Sequence, residues 1–319
     1  MFGTNEIIGK KYFKDAPADS LFVTSMFFTL QGEGPYAGMP ALFIRLTKCN
    51  LDCSFCDTFF DDGDWMTYDQ LEAKMTETIA AYWTGRNMPV PEWAQFHDGY
   101  TVPADVEIPA NRTAVVLGRS DGEQHVQIAK RKIVLVMTGG EPLLQSNISA
   151  FMQRQLRYFK AVQVESNGIP DTEVPEGVTL VCSPKCMEKN GVATKYYSPS
   201  KTILDRADCL KFVMDSKDTS PYNTVPEWAH AWKARTGKEI YCSPMNIYND
   251  LPQKIKLTRA EKGQITMAER STVDEVIDFW EPGVLNLVAN EANHKYTAHY
   301  CMQHGFKLNL QMHLYAGLS

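Results

Sequence analysis

The sequence predicts an α/β fold in which parallel strands alternate with amphipathic helices, and three observations carry that expectation. From residue 133 onward, short apolar runs that suit strands buried on both faces are separated by stretches with helical spacing. A loop holding three cysteines directly follows the apolar run 41–46. Five further polar motifs fall at the carboxyl ends of expected strands, the edge on which parallel α/β architectures build their active sites.

Taken in order, residues 1–20 read as a polar N-terminal arm, and 21–319 as one domain that opens with an extended segment at 21–29. Gln31-Gly32-Glu33-Gly34-Pro35 is a glycine-punctuated turn that sets an amide and a carboxylate where either can face a ligand. Residues 41–46 form the next strand. After the cysteines, Asp61-Asp62-Gly63-Asp64 reads as a solvated acidic loop, because it lacks the remaining ligands of a calcium loop. Thr67 is placed to cap a helix through about residue 83, with Leu71, Met75, Ile79 and Tyr82 at helical spacing.

Residues 86–131 read as an insertion, in part a β-hairpin. Prolines at 89, 91, 103 and 109 punctuate it, and a Gly-Arg-Ser-Asp-Gly turn separates the strand-like runs 113–117 and 125–128. Its His97 and His125 belong to no ligand-spaced cluster and read as surface or packing residues. Beyond it, strands are expected at 133–137, 161–165, 178–182, 209–214, 239–242 and 307–310, with helices at 143–159 and near 224–235, 271–280 and 291–304.

Composition narrows the function classes. With 44% hydrophobic and 22% charged residues the chain is of ordinary globular make-up, and no apolar run approaches the ~20 residues of a membrane span. The first residues lack the basic, apolar, then small pattern of a signal peptide, which points to a cytoplasmic protein. Eight cysteines, three of them crowded between Cys49 and Cys56, fit reduced thiols better than a disulfide framework. A formal charge of −6 with no long Lys/Arg tract gives no footprint for direct nucleic-acid binding, so the expected substrate is a small molecule.

Cys49, Cys53 and Cys56 are spaced CxxxCxxC in a short loop leaving a strand, which brings three thiolates to one locus. Three thiolates satisfy three irons of a 4Fe-4S cube and leave the fourth iron open to a non-protein ligand. The alternatives are a zinc knuckle, which wants a fourth Cys or His close by, and chance clustering of thiols. The other motifs on the same edge are Thr138-Gly139-Gly140-Glu141-Pro142, Glu165-Ser166-Asn167-Gly168, Ser183-Pro184-Lys185, Ser243-Pro244-Met245-Asn246 and Gln311-Met312-His313.

With the CxxxCxxC loop after one strand and a GGEP segment after the next, the chain resembles the radical S-adenosyl-L-methionine (SAM) enzymes. More narrowly, it is similar to the 7-carboxy-7-deazaguanine synthase family. The similarity rests on Phe28-Thr29-Leu30-Gln31-Gly32-Glu33-Gly34, on Arg45, on Cys56-Asp57-Thr58, on the Glu165 and Ser183 motifs, and on the ending Leu310-Gln311-Met312-His313. It covers about residues 21–84 and 132–319, and the insertion has no counterpart. The implied fold is a partial, open (β/α)6-type radical SAM barrel with an inserted segment. The implied reaction converts 6-carboxy-5,6,7,8-tetrahydropterin to 7-carboxy-7-deazaguanine with loss of ammonia, in deazapurine (queuosine-type) biosynthesis.

The resemblance also implies roles. The three cysteines would hold a 4Fe-4S cluster whose open iron chelates SAM. SAM would lie against Phe55, Gly139, Gly140, Glu141, Glu165, Ser166, Ser183, Lys185 and Met245. Gln31, Glu33, Arg45 and His313, with the carboxylate of Ser319, would hold the pterin, Arg45 taking its carboxylate. Thr58 would offer its hydroxyl to a Mg2+ shared with substrate oxygens. A radical derived from SAM would take hydrogen from C6 of the pterin, a flavodoxin-like donor would supply the electron, and the chain would form a homodimer.

Three positions depart from the family pattern: Ser25 stands where many members have Glu, Ser243 where Gln commonly precedes the proline, and Leu314 where Lys often follows the histidine. They bear on substrate contact more than on reaction class. A glycyl-radical activating enzyme shares the cysteine loop but leaves Gln31, Glu33, Arg45 and Thr58 without a purpose. A non-catalytic iron-sulfur or zinc binding module needs neither the GGEP segment nor an open iron.

Overall fold

A computed structural model describes residues 7–9, 12–95, 100–105, 114–128, 131–189, 191–250, 253–257, 277–281 and 284–316. Nine strands build one mixed sheet: β1 (Ser20–Leu30), β2 (Pro40–Leu46), β3 (Asp64–Thr67), β4 (Val134–Gly139), β5 (Ala161–Ser166), β6 (Thr179–Cys182), β7 (Cys209–Met214), β8 (Glu239–Pro244) and β9 (Lys307–Leu308). Their spatial order is β9-β8-β7-β6-β5-β4-β2-β1-β3. β2 and β4 to β9 run parallel. β1 lies antiparallel to both β2 and β3. Every parallel strand coincides with a strand expected from the sequence; for all but the short, exposed edge strand β9 the reason is that a strand covered on both faces has little polar alternation to disguise it.

The two faces of the sheet differ in what they bury. Leu42, Ile44, Leu135, Met137, Val162, Val164, Leu210 and Phe212 point to one large core shared with the helices. Side chains alternate along a strand, so Phe43 and Arg45, Gln163 and Glu165, Cys209 and Lys211, and Tyr241 and Ser243 share the opposite, inner face. That face carries the polar groups.

Six helices surround the sheet: α1 (Tyr68–Thr84), α2 (Ile148–Gln155), α3 (Lys201–Arg206), α4 (Glu227–Thr236), α5 (Leu287–His304) and α6 (Met312–Tyr315), among the described residues. α1 starts at Thr67 as expected: the Thr67 hydroxyl accepts from Gln70 N at 3.3 Å, and the Gln70 side chain accepts from Thr67 N at 2.8 Å. Its Leu71, Met75 and Ile79 enter the core. No helix among the described residues is long and apolar enough to cross a membrane.

Tertiary bonds override local pattern in several places. The helix expected over 143–159 divides into a 3-10 turn at Pro142–Leu144 and the short α2. Gln145 is drawn away to bond the backbone of Phe22 on β1, and the Asn147 side chain donates to the carbonyls of Pro17 and Ser20. The helix expected over 271–280 is not found where it can be checked, because Ile277–Glu281 is a strand paired antiparallel with Gln253–Leu257; residues 271–276 lie outside the described residues. Ile277, Phe279 and Trp280 are strand formers once a partner is present.

The N-terminal arm is anchored over its described part: Ile7 bridges Cys49, Ile8 N donates to Cys49 O at 2.9 Å, and Ile8 and Phe13 are buried beside Leu144. The acidic loop is not merely solvated either, since Asp61 pairs with the buried Lys48 at 2.6 Å. In the insertion, Tyr100–Pro103, Ala114–Ser120 and Glu123–Ile128 form a separate small sheet. Its hairpin turns at Asp121-Gly122, with φ of 50° and 80° at the two residues, a type I′ pattern. His125 is exposed there, and His97 lies outside the described residues. Two antiparallel pairings escaped the sequence pattern, the hairpin of Cys186–Lys189 with Val192–Tyr196 and the long-range pairing of Tyr248–Asp250 with Val284–Leu285.

Candidate functional site

The carboxyl ends of the parallel strands surround a cavity of about 520 Å3, within the size range of small-molecule sites. The cysteine loop after β2 supplies Cys49, Cys53, Phe55, Cys56 and Thr58 to its wall; β4 and β5 supply Gly139, Gly140, Glu141, Glu165 and Ser166. Ser183 and Lys185 after β6, the turn residues Gln31 and Glu33, Arg45 of β2 and His313 of α6 complete the expected set. Met245 is not part of the wall. Its backbone is tied to Met214 O and to the Asn293 side chain, and its neighbours Pro244 and Asn246 face the cavity instead. Ser319 lies outside the described residues.

On the sulfur side, Cys49 is buried with Leu51 and Phe60, and Cys53 and Cys56 pack on the same cluster. All three are free thiols. Burial pushes Cys53 up to about 12, partly offset by the nearby Lys185 charge, and Cys56 up to about 11, with Asp57 adding to the rise. Cys49 is raised further, again chiefly by burial. The loop is held by polar clamps. Ser54 N donates to Glu188 Oε2 at 2.7 Å, Tyr222 OH donates to Glu188 Oε1 at 2.9 Å, and Phe55 stands edge-on to the Tyr222 ring with centroids 5.1 Å apart. Asn167 Nδ2 donates to Asn50 Oδ1 at 2.7 Å.

The paired glycines are explained by packing. Gly140 N donates to Leu46 O at 2.9 Å and Glu141 N to Lys48 O at 2.8 Å, which lays the end of β4 directly against the cysteine loop. A Cβ on Gly140 would stand 1.9 Å from Lys48 O, and Gly139 has φ of +122°. Glu141 is spent on the same frame: its carboxylate accepts from Leu143 N, Ser166 Oγ and Asn167 N at 3.0, 2.8 and 2.6 Å. Burial raises its carboxyl to about 7 against the pull of those donors. Lys185 Nζ donates to the carbonyl and hydroxyl of Ser183 at 2.6 and 2.7 Å, and burial lowers its ammonium below the ordinary range.

Opposite the sulfurs lies a charged floor centred on Lys211. Its ammonium is 2.6 Å from Glu33 Oε2 and 2.6 Å from Glu165 Oε2. Gln31 and Gln163 donate to Glu165 Oε1 at 3.3 and 3.0 Å. Burial, the largest single influence, would raise the Glu165 carboxyl, but the charge and hydrogen bond of Lys211, the Gln31 hydrogen bond and the Lys185 charge together hold Glu165 below its ordinary value. Ser243 Oγ donates to Glu33 Oε1 at 3.3 Å, and Asn309 links Ser243 to the backbone of Gly34. The Arg45 guanidinium lies 5.1 Å from the centre of the Phe27 ring and has no ion pair among the described residues. His313 packs on Gly32, and burial lowers its imidazole, so it is neutral near pH 7.

Sequence reasoning missed Lys211, Glu188, Tyr222 and Tyr248. Lys211 left a signal: a lysine inside Cys209-Leu210-Lys211-Phe212-Val213-Met214 is a charge in the middle of a strand buried on both faces, which demands partners. The others come from a hairpin (Glu188), a 3-10 turn (Tyr222) and a long-range strand pairing (Tyr248) that have no local signature.

The donor set bears on what the cavity holds. Among the described residues no three or more His, Cys, Asp or Glu side chains are grouped to hold a single metal ion. Three soft thiols on one loop fit an iron-sulfur cluster, which binds each cysteine to a different iron. A hard cation finds oxygen at Thr58, whose hydroxyl donates to Asp57 Oδ1 at 3.2 Å; Tyr248 OH donates to Asp57 Oδ2 at 3.1 Å.

No family model matches the chain. The 7-carboxy-7-deazaguanine synthase of Rickettsia prowazekii (strain Madrid E) is 30% identical over 227 residues, which are 71% of this chain and 74% of that protein. The 7-carboxy-7-deazaguanine synthase of Rhodospirillum rubrum is 29% identical over 231 residues, 71% of each chain. The crystal structure of QueE from Escherichia coli superposes loosely, with a TM-score of 0.48 and 16% identity over 96% of this chain and 99% of that one.

Proposed function

The chain belongs to the 7-carboxy-7-deazaguanine synthase family, and we propose that it is a radical SAM lyase converting 6-carboxy-5,6,7,8-tetrahydropterin to 7-carboxy-7-deazaguanine with loss of ammonia, a step of deazapurine (queuosine-type) biosynthesis. The observation that carries the proposal is one cavity lined by a three-thiol loop, by the Arg45 guanidinium, which has no ion pair among the described residues, and by the Glu33 and Glu165 carboxylates that Lys211 joins. When bound, a 4Fe-4S cluster and SAM supply the one-electron chemistry that starts the reaction.

The residues of this chain bind, orient and exclude water. Arg45 takes the pterin carboxylate as a charge-assisted pair. Glu165, which the resemblance gave to SAM, is joined to Glu33 through Lys211, and the two accept from the N–H groups of the ring with neutral His313 beside them. Phe55 and the loops after β4, β5 and β6 frame SAM. Thr58, with Asp57 beside it, offers oxygen to Mg2+, which keeps water or substrate in the rest of its shell.

A partial, open barrel suits this task and is supported by the reach of the turn after β1. Gln31 and Glu33 touch β5 and β7, Gly34 N donates to Asn309 Oδ1 beyond β9 at 2.7 Å, and Tyr36 OH lies 2.9 Å from Thr179 Oγ1 on β6. Such contacts favour a sheet curled around the cavity. A flavodoxin-like donor and a homodimer rest on family resemblance alone. A cytoplasmic setting is supported by eight free cysteines.

Two measurements test the proposal. Adding SAM to the anaerobically reconstituted, reduced protein is expected to change the EPR signal of its cluster; an unaltered signal sinks the reaction class. Arg45→Gln is expected to raise the KM for the pterin by about tenfold or more through loss of a charge-assisted bond, and an unchanged KM removes Arg45 from the carboxylate site.

A further inference from the structure

Lys211 is a charge where the fold offers no solvent. Its strand neighbours Leu210 and Phe212 are fully buried in the helix-side core, and Lys211 itself is 7% exposed on the inner face. Its ammonium meets one carboxylate from the turn after β1 and one from β5, both at 2.6 Å, and both carboxylates line the cavity. Two carboxylates so placed, without a cation between them, would share a proton, and one would become an O–H donor. The Lys211 charge and hydrogen bond favour the ionised form of Glu165, and two carboxylates against one ammonium leave the floor acceptor-rich.

We propose that Lys211 is a positioning residue for substrate recognition: it fixes Glu33 and Glu165 as paired, ionised acceptors, so that this floor selects a heterocycle edge bearing N–H donors, such as the amino-pyrimidinone edge of a pterin. The inference deepens the function proposed above and rests on it. Other charged or titratable groups near the triad are Lys185 after β6, His313 of α6, Cys209 on β7 itself, Tyr248 and, on the same cavity wall, Arg45. None of these lies between the two carboxylates as the Lys211 ammonium does.

The test is steady-state turnover and equilibrium SAM binding with the reconstituted enzyme. Lys211→Met is expected to raise the KM for 6-carboxytetrahydropterin by about tenfold or more, with the SAM Kd and the iron content unchanged. One of the two carboxyls is then protonated near neutral pH, so the variant's KM falls as the pH is raised, whereas that of the wild type stays flat. Lys211→Arg, which keeps the cation, restores most of the affinity and the flat profile.

Should Lys211→Met fail to fold, Lys211→Gln, which keeps a hydrogen-bond donor towards the carboxylates without the cation, carries the same prediction of a raised pterin KM that falls as the pH is raised. A pterin KM that is unchanged and flat with pH in a folded variant overturns the role of Lys211. A wild type that binds SAM but never consumes the pterin overturns the underlying function instead, so the two failures are distinguishable.

Discussion

The two sides of the cavity are built on opposite plans. The floor is complete within the chain: Lys211 neutralises part of the charge on Glu33 and Glu165, and Gln31, Gln163 and Ser243 take up remaining lone pairs. On the sulfur side, burial raises three thiols above their ordinary range, and what fixes their loop is hydrogen bonding to the Glu188 carboxylate, to Asn167 and to the glycine shelf. The difference teaches a division of labour. Under the proposed function, the groups that would recognise a polar ring are already paired in the fold, whereas the sulfur side would be completed by its cluster.

The sharpest way to break that division is at the sulfurs. Anaerobic reconstitution of the wild type is expected to give about four irons and four sulfides per chain, and Cys53→Ala to lose the cluster and all turnover; full iron content in the variant would remove Cys53 from the ligand set. Gly140→Ala attacks the frame, since the new methyl would sit 1.9 Å from Lys48 O, a backbone atom with nowhere to go. A loss of about 3 kcal/mol or more in denaturant unfolding is expected, and wild-type stability would show that the strand end yields freely.

Smaller effects sharpen the comparison further. Asp61→Asn weakens the hold on buried Lys48 at the base of the loop and is expected to cost about 1–3 kcal/mol in the same assay. Glu188→Ala removes the acceptor of Ser54 N and Tyr222 OH, so iron is expected to pass to a chelator several-fold faster, with Glu188→Gln near wild type. Equal release rates in all three proteins would show that the clamp is decorative.

The smallest effect is a pH dependence. Folding raises the Glu141 carboxyl to about 7, chiefly through burial, so its contribution to stability is present at acid pH and is lost as the pH rises through about 7. Cluster-free protein is expected to lose stability from about pH 5 to 8, and Glu141→Gln to flatten that slope.

What the sequence disclosed follows the same division. The parallel strands were legible because burial on both faces leaves uninterrupted apolar runs, and the cysteine loop because its spacing is its chemistry. The ends of strands β4 to β6 were legible as a site, yet Gly140, Glu141 and Ser166 turn out to be largely occupied in bonding one another and the loop. That commitment depends on which strand ends become neighbours, which no local pattern shows. Lys211 was hidden in an apolar run for the same reason: its partners lie 178 and 46 residues away. The strand at Ile277–Glu281 shows the converse, where a distant partner set the conformation of a segment whose local period favoured a helix.

The central claim is that one cavity joins radical chemistry on its sulfur side to pterin recognition on its floor. Its most direct test is a single anaerobic incubation of reconstituted protein with reductant, SAM, Mg2+ and 6-carboxy-5,6,7,8-tetrahydropterin, read by mass spectrometry. The expected result is 7-carboxy-7-deazaguanine with release of ammonia from the wild type and neither from Cys53→Ala. Cleavage of SAM with the pterin left untouched would contradict it.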